Sequence, residues 1–297
     1  MSSKKIVKIF KEMAEIYMIL GDEFRAIAYL RVIRNINKSK DVLETLGVGK
    51  SIKEKILEIK KTGKLRYLED LRKNPLLAKI KKLRKLKGFS KKKIILLIEK
   101  YNISSPKDIK KLNKEGKIKL NNSQLLGLKY ANDLLRDIPR KEITLIGRLL
   151  RKIILEKIEI VGSYRRKKQF SGDIDILVIS DISKILLKIS ESKDIKIVGT
   201  FMEGMQKFSG LIKTKYSPFV RQIDILSVKK ENYIPALLYF TGSGLFNRKM
   251  RLIAKEKGYK LNEKELSYKG RKVKDIKSER EIFNILGIDY LPPEKRY

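Results

Sequence analysis

The sequence predicts an α+β multidomain fold, with an all-α first part built on helix-hairpin-helix turns, a central mixed sheet, and a small α+β C-terminal part. Three observations carry this expectation. Apolar side chains recur at helical spacing near the start, as Ile6, Phe10, Met13, Ile16, Tyr17 and Leu20 do. From residue 158 the apolar period shortens to that of strands. Short glycine turns, Leu46-Gly47-Val48-Gly49-Lys50 and Leu86-Lys87-Gly88-Phe89-Ser90, separate apolar helical stretches in the first half.

In chain order, the helical pattern over 4–36 breaks at Gly21-Asp22 and resumes with Phe24, Ile27 and Ala28. The turn at 46–50 reads as a helix-hairpin-helix, whose backbone N–H groups and following helix N-terminus suit a DNA phosphate. Residues 83–98 form a second copy without its first glycine, ending in Ile94, Ile95, Leu96, Leu97 and Ile98. Pro75 marks one boundary and Ile138-Pro139 another, followed by a helix over 141–156. Strands are expected at 158–162, 173–179, 195–200, 206–213 and 221–228, with a helix at 181–190. The last segment mixes helices at 232–240, 246–257 and 278–286 with short strands near 259–268. The predicted domains are therefore 1–74, 75–137, 138–229 and 230–297.

The 297 residues carry 71 Lys+Arg against 34 Asp+Glu, a formal charge of +37. Such an excess opposes compaction and suits attraction to a polyanion. The cations are spread along the whole chain rather than on one amphipathic helix, which favours nucleic acid over a membrane surface. The longest apolar run, 234–240, is far too short to span a bilayer. The N-terminus has lysines without an apolar signal core. An intracellular setting is expected, nucleus or cytoplasm, and the Lys-, Ile- and Asn-rich usage is compatible with a viral source. With no Cys and no His, this chain holds no disulfide, no Cys/His zinc site and no His-dependent triad. A metal would rest on carboxylates and water, so Mg²⁺ is expected.

Residues 162–175 read Gly-Ser-Tyr-Arg-Arg-Lys-Lys-Gln-Phe-Ser-Gly-Asp-Ile-Asp and run into an apolar strand. Strand residues i and i+2 share a face, so Asp173 and Asp175 can converge on one metal cluster. The turn's N–H groups and the fork of Arg166 can hold a polyphosphate nearby. Gly-Ser followed about ten residues later by Asp-x-Asp is the pattern of a nucleotidyltransferase, which transfers from a metal-bound triphosphate.

These residues, with Thr62-Gly63-Lys64-Leu65, Leu126-Gly127-Leu128-Lys129-Tyr130, Ile138-Pro139-Arg140, Arg221-Gln222-Ile223-Asp224, Tyr239-Phe240-Thr241-Gly242-Ser243, Phe246-Asn247 and Glu256-Lys257-Gly258-Tyr259, stand in an order that resembles the X family of DNA polymerases, closest to the beta type. The resemblance covers nearly the whole chain. It implies an N-terminal lyase domain, a DNA-binding helical subdomain, a catalytic palm and a nucleotide- and template-selecting subdomain.

The resemblance also implies roles. Asp173, Asp175 and Asp224 match the family's three ligands for two Mg²⁺ ions. Gly162, Ser163, Arg166 and Gly172 match triphosphate-holding positions. Tyr239, Phe240, Gly242 and Asn247 match the sugar and base pocket, with Arg248 and Arg251 on the template side. In the first domain Lys55 matches the Schiff-base lysine of a 5′-deoxyribose-phosphate lyase. An attacking amine must be neutral, a form that nearby cations favour. Arg25, Tyr29 and Lys50 match a 5′-phosphate pocket. Gly47, Gly49 and Gly88 shape the DNA-binding hairpins, and carbonyls of Leu43, Thr45 and Val48 match a K⁺ or Na⁺ site. Four positions depart from the family. Asp137 replaces an arginine before Ile-Pro, leaving Arg136 or Arg140 to reach the phosphates. Ser51 replaces a phosphate-binding lysine, Phe24 a histidine, and Gly244 a residue that often carries a side chain against the nucleotide.

The expected activity is gap filling in base excision repair from dNTPs on gapped or nicked double-stranded DNA, with lyase activity, by a monomer acting beside a DNA ligase. Two other readings use the same residues: a template-independent nucleotidyltransferase, and a non-catalytic DNA end-binding module.

Overall fold

The computed structural model describes residues 3–36, 39, 41–84 and 86–296. They divide into two compact units, one taking the chain to Arg84 with Phe89–Ile118, the other Lys85–Gly88 with everything from Lys119.

In the first unit α1 (Ser3–Leu20) and α2 (Glu23–Asn35) pack along each other. The break predicted at Gly21-Asp22 is a cap, with the Asp22 side chain accepting from Arg25 N at 3.0 Å. The shared core takes Ile6, Phe10 and Met13, with Tyr29 edge-on to Phe10 and stacked on Tyr17. Next come α3 (Lys50–Thr62), closed by Gly63 in the left-handed region, and α4 (Arg66–Lys73). Pro75 opens α5 (Pro75–Leu83), which packs on α6 (Lys91–Tyr101). A capping box of Ser105 and Asp108 starts α7 (Pro106–Lys114).

The second unit begins with α8 (Asn122–Lys129) and α9 (Ala131–Leu134). A two-residue strand β1 (Ile138–Pro139) precedes α10 (Arg140–Ile153), β2 (Ile158–Ile160) and the short α11 (Gly162–Arg165). Then follow β3 (Phe170–Ser171), β4 (Ile174–Val178), α12 (Ile182–Ser190), β5 (Ile195–Glu203), β6 (Lys207–Thr214) and β7 (Arg221–Ser227). The principal sheet has the order β2-β4-β7-β6-β5, antiparallel except for the parallel pair β4 and β7. Strand alternation sorts its faces. Ile174, Ile176, Val178, Ile223 and Ile225 pack against Ile143, Ile146 and Leu150 of α10 and Ile182, Ile185 and Ile189 of α12. The intervening Asp175, Leu177 and Asp224 point to the other face, where Leu177 meets Val161 and Ala236. β1 pairs with β3 in a second ladder that the sequence pattern did not predict.

The chain ends in α13 (Tyr233–Thr241), α14 (Gly244–Glu256), the three-stranded antiparallel sheet β8 (Tyr259–Leu261), β9 (Leu266–Tyr268) and β10 (Arg271–Lys272), and α15 (Glu279–Ile285). Their core gathers Leu238, Phe246, Met250, Leu266, Ile282 and Phe283. Among the described residues no helix is long and apolar enough to cross a membrane.

Candidate active site

Asp175 on β4 lies directly across from Asp224 on β7 in the parallel register, and Asp173 stands two residues before Asp175. The three carboxylates thus share the sheet face away from α10 and α12. Burial, followed by repulsion from Asp173 and Asp224, pushes the Asp175 carboxyl up to about 8, with Lys87 and Arg166 opposing the rise. Asp173 Oδ2 accepts from Lys87 Nζ at 2.9 Å. Asp224 Oδ1 accepts from Ser209 Oγ at 2.6 Å and from Gln222 Nε2 at 2.9 Å. In this arrangement no three carboxylates among the described residues close into a set that could hold one ion. The donor chemistry nevertheless fits a hard divalent cation. All three groups are oxygen donors, and the mutual repulsion that helps raise the Asp175 carboxyl is one that a bound cation would relieve.

Lys87 reaches Asp173 because its turn lies flat on α8. Added Cβ atoms would meet Lys87 O at 1.9 Å from Gly127 and Ser123 O at 2.2 Å from Gly88. Backbone so close to backbone admits only glycine at both positions.

The Gly-Ser turn is α11. Gly162 has φ +58, and a Cβ there would fall 1.9 Å from Asp175 Oδ2, so the glycine makes room for the carboxylate itself. Ser163 and Arg166 follow on the same turn, with Gly172 exposed just before Asp173. The Arg166 guanidinium donates to Thr241 O, at the turn where Gly242 separates α13 from α14. Its buried Nε has no hydrogen-bond partner in the protein. Burial lowers the pKa of Arg166, against the pull of Asp175 and Asp173. Across the same turn Asn247 Nδ2 donates to Tyr239 O at 2.6 Å, and the Tyr239 and Phe240 rings pack edge to face. Arg251 lines a small recess with Tyr239 and Asn247, and Arg248 lies on the same helix, α14.

Both proposed substitutes for the missing arginine lie against aromatic rings. Arg140 donates to Tyr164 O at 2.6 Å and stacks on the Tyr164 ring, while Arg136 lies over Phe219. Arg165, next to Arg166, instead makes a two-pronged contact with Glu279 of α15 at 3.0 and 2.9 Å. Glu279 also accepts from the fully buried Arg296 at 2.6 Å, whose guanidinium sits among Phe246, Phe283 and Tyr290. Burial works to raise the Glu279 carboxyl, but hydrogen bonds from the two arginines outweigh it and the net shift is downward.

The first unit holds a separate cavity of about 380 Å³ lined by Tyr17, Arg25, Ala28, Tyr29, Ser51, Ile52, Lys55 and Tyr67. Three predicted residues, Arg25, Tyr29 and Lys55, meet here; Lys50 is at the start of α3 and is not among the lining residues. Lys55 Nζ donates to Ser51 Oγ at 2.6 Å and Ser51 O at 3.1 Å. Ser51, noted in the sequence as a departure, is thus the partner that orients Lys55. Tyr17 and Tyr67 share a hydrogen bond at 2.9 Å at the same cavity. Burial pushes the Tyr29 hydroxyl up to about 12. Phe24 stands 91% exposed. At the hairpin Gly47 has φ +96 and Gly49 caps α3, with Leu43 in the preceding turn and Thr45 O accepting from Val48 N at 2.9 Å.

Sequence reasoning passed over Lys87, Ser209, Gln222, Arg165, Tyr17 and Tyr67. Gln222 carried a readable signal, since it stands two residues before Asp224 on one strand and so shares its face. Lys87 carried none, because its partner is 86 residues away.

The sequence matches two family profiles, one described as DNA polymerase beta palm over residues 137–230 and one as DNA polymerase beta thumb over 236–297. It is 29% identical to DNA polymerase lambda of Arabidopsis thaliana over 99% of this chain and 62% of that protein. It is 27% identical to DNA polymerase lambda of Rattus norvegicus over 98% of this chain and 56% of the relative. With DNA polymerase/3′-5′ exonuclease PolX of Bacillus subtilis (strain 168) it shares 26% identity over 100% of this chain and 55% of the relative. The chain therefore spans 55 to 62% of the length of these relatives. The two profiles follow one another along more than half of the chain, and the palm profile contains all three aspartates; the chain belongs to the X family of DNA polymerases.

Proposed function

We propose that this chain is a DNA-directed DNA polymerase that fills short gaps in base excision repair, and that its first unit is a 5′-deoxyribose-phosphate lyase. The observation that carries the polymerase reading is the in-register pair Asp175 and Asp224, with Gly162 packed on the Asp175 carboxylate and Arg166 close to Asp175 and Asp173. Asp173, Asp175 and Asp224 would hold two Mg²⁺ ions. When bound, these supply Lewis acidity that activates the primer 3′-OH and offsets charge on the leaving pyrophosphate. The chain's own residues do the rest. Arg166 offers its unpartnered Nε to the triphosphate, beside the N–H groups of the Gly162-Ser163 turn and Gly172. Tyr239, Phe240 and Gly242 form the wall against the sugar. Asn247, tied to Tyr239 O, presents its remaining amide edge to the minor-groove side of the base. Arg248 and Arg251 lie on the template side, where shared acceptors report pair shape rather than identity.

In the first unit Lys55 Nζ, as the free amine, adds to C1′ of the abasic sugar and forms an imine with loss of water. Ser51 orients the amine, and Arg25 with Tyr29 receives the 5′-phosphate. The glycine hairpins at Gly47, Gly49 and Lys50 and at Gly88 meet backbone phosphates, with K⁺ or Na⁺ held through carbonyls of Leu43, Thr45 and Val48. The substrates are gapped or nicked DNA and dNTPs, the partner a DNA ligase, and the working form a monomer in nucleus or cytoplasm.

Primer extension on a one-nucleotide gap, with and without the template strand, tests this reading. Template-dependent addition is expected; template-independent addition would support the terminal-transfer alternative, and none would leave an end-binding module. For the lyase, borohydride should trap a covalent adduct at Lys55, and Lys55→Ala should lose most trapping while still polymerising. An adduct mapped to another lysine would refute the assignment.

A further inference from the structure

Asp224 is held in a way that the other two aspartates are not. Ser209 stands directly opposite it across the β6–β7 ladder, and Gln222 precedes it by two residues on its own strand. Both side chains are almost fully buried. Both donate to the same oxygen, Oδ1, at 2.6 and 2.9 Å, and Gln222 Nε2 lies 3.4 Å from Ser209 Oγ. Two donors converging on one oxygen stop the carboxylate from turning about its Cβ–Cγ bond and leave Oδ2 as the oxygen free to act. Both donors are neutral, so they fix direction without neutralising charge. Asp173, by contrast, carries the ammonium of Lys87. Gln222 achieves this at a cost to the fold, since its buried Oε1 has no hydrogen-bond partner in the protein. A side chain that leaves a buried acceptor unmet while aiming its donor at a carboxylate is better explained by the site than by stability.

We propose that Ser209 and Gln222 are positioning residues that lock the Asp224 carboxylate, keeping Oδ2 oriented for a divalent cation. The inference rests on the polymerase reading of this site. Supporting groups of this kind typically change metal affinity or activity by about 10–100-fold when removed.

The test compares Gln222→Met, Ser209→Ala and the double variant of the full chain with wild type. Mn²⁺ binding is measured by electron paramagnetic resonance without nucleotide, alongside gapped-DNA affinity, melting temperature and the Mg²⁺ dependence of incorporation. Each single variant is expected to weaken Mn²⁺ binding by about 10-fold and the double by up to about 100-fold. Half-saturating Mg²⁺ should rise in parallel, with DNA affinity unchanged. Gln222→Met should keep or raise the melting temperature, because it removes the unmet acceptor. Ser209→Thr, which retains the hydroxyl, should rescue metal binding. Wild-type Mn²⁺ affinity in the double variant would overturn the proposal, as would weakening that merely follows a loss of melting temperature. A wild-type chain that binds Mn²⁺ through this lock yet adds no nucleotide would refute the polymerase reading alone.

Discussion

Gly162→Ala isolates the contact between the Gly-Ser turn and the buried acid. The new Cβ would be built 1.9 Å from Asp175 Oδ2 and 2.9 Å from its Cγ, whereas real Cβ atoms essentially never approach within 3.0 Å of a neighbour. The carboxylate, or the turn, must therefore retreat by more than 1 Å to pass that limit, and by about 1.5 Å to restore ordinary van der Waals contact. A misplacement of roughly 1 Å at a reacting centre costs on the order of 10²-fold in rate, equivalent to about 2.7 kcal/mol of barrier. The left-handed φ of +58 adds about 1–2 kcal/mol of backbone cost to folding. The expected variant is thus folded, a few degrees less stable, and about 100-fold or more slower in single-nucleotide incorporation on a gapped primer–template. Gly204→Ala serves as the control, since its methyl would meet only Lys207 O at 3.8 Å. A Gly162→Ala protein within a few-fold of wild type would show that the turn does not set the carboxylate's position.

Asp224→Ala should abolish incorporation while gapped-DNA binding stays within a few-fold; retained incorporation would remove Asp224 from the metal site. Lys87→Met takes the ammonium off Asp173, so metal binding by DNA-free protein should tighten several-fold in a Mn²⁺ titration, and an unchanged affinity would deny the competition. With the Asp175 carboxyl raised from 3.8 to about 8, the metal-free folded state keeps a proton that the unfolded chain has lost across that window. Its stability should fall as pH rises from about 4 to 8 and then level off. Urea melts in chelator should show this slope shrinking in Asp175→Asn, and an equal slope in the variant would refute it. For about six phosphate contacts, DNA affinity should drop roughly 10³-fold between about 50 and 200 mM salt, and a shallow dependence would contradict a phosphate-dominated interface.

What the sequence made legible is what depends on short-range periodicity. Alternation placed Asp173 and Asp175 toward one face, and the apolar residues between the acids packed under α10 and α12. The break at Gly21-Asp22 and the helix after Pro139 were readable from local turn and capping chemistry. What stayed hidden depends on distance. The β1–β3 ladder joins segments about thirty residues apart with only two residues each, too short to leave a pattern. Gly162 was expected to let phosphates approach, but its nearest constraint is a carboxylate from the neighbouring strand. Ser51 read as a lost phosphate ligand, although its spacing from Lys55, one helical turn, already allowed the hydrogen bond between them. Arg136 and Arg140 looked interchangeable as phosphate ligands in one dimension; aromatic partners in the fold engage both.

The contact of Glu279 with both Arg165 and Arg296 makes the second unit unequal in its tolerance of substitution. One acid serves two cations, in a chain where cations outnumber acids two to one. Losing either arginine leaves the other paired with the carboxylate. Losing Glu279 takes the close carboxylate partner from both guanidiniums at once, leaving Arg165 its bond to Thr241 Oγ1 and the fully buried Arg296 only Leu291 O, and removing the partner of a buried charge costs about 3–5 kcal/mol. Sequence drift at this spot should therefore be permissive on the basic side and closed on the acidic side. Either arginine can be exchanged for a neutral residue while the other remains, but removing both would leave the buried Glu279 carboxylate unpaired in its turn.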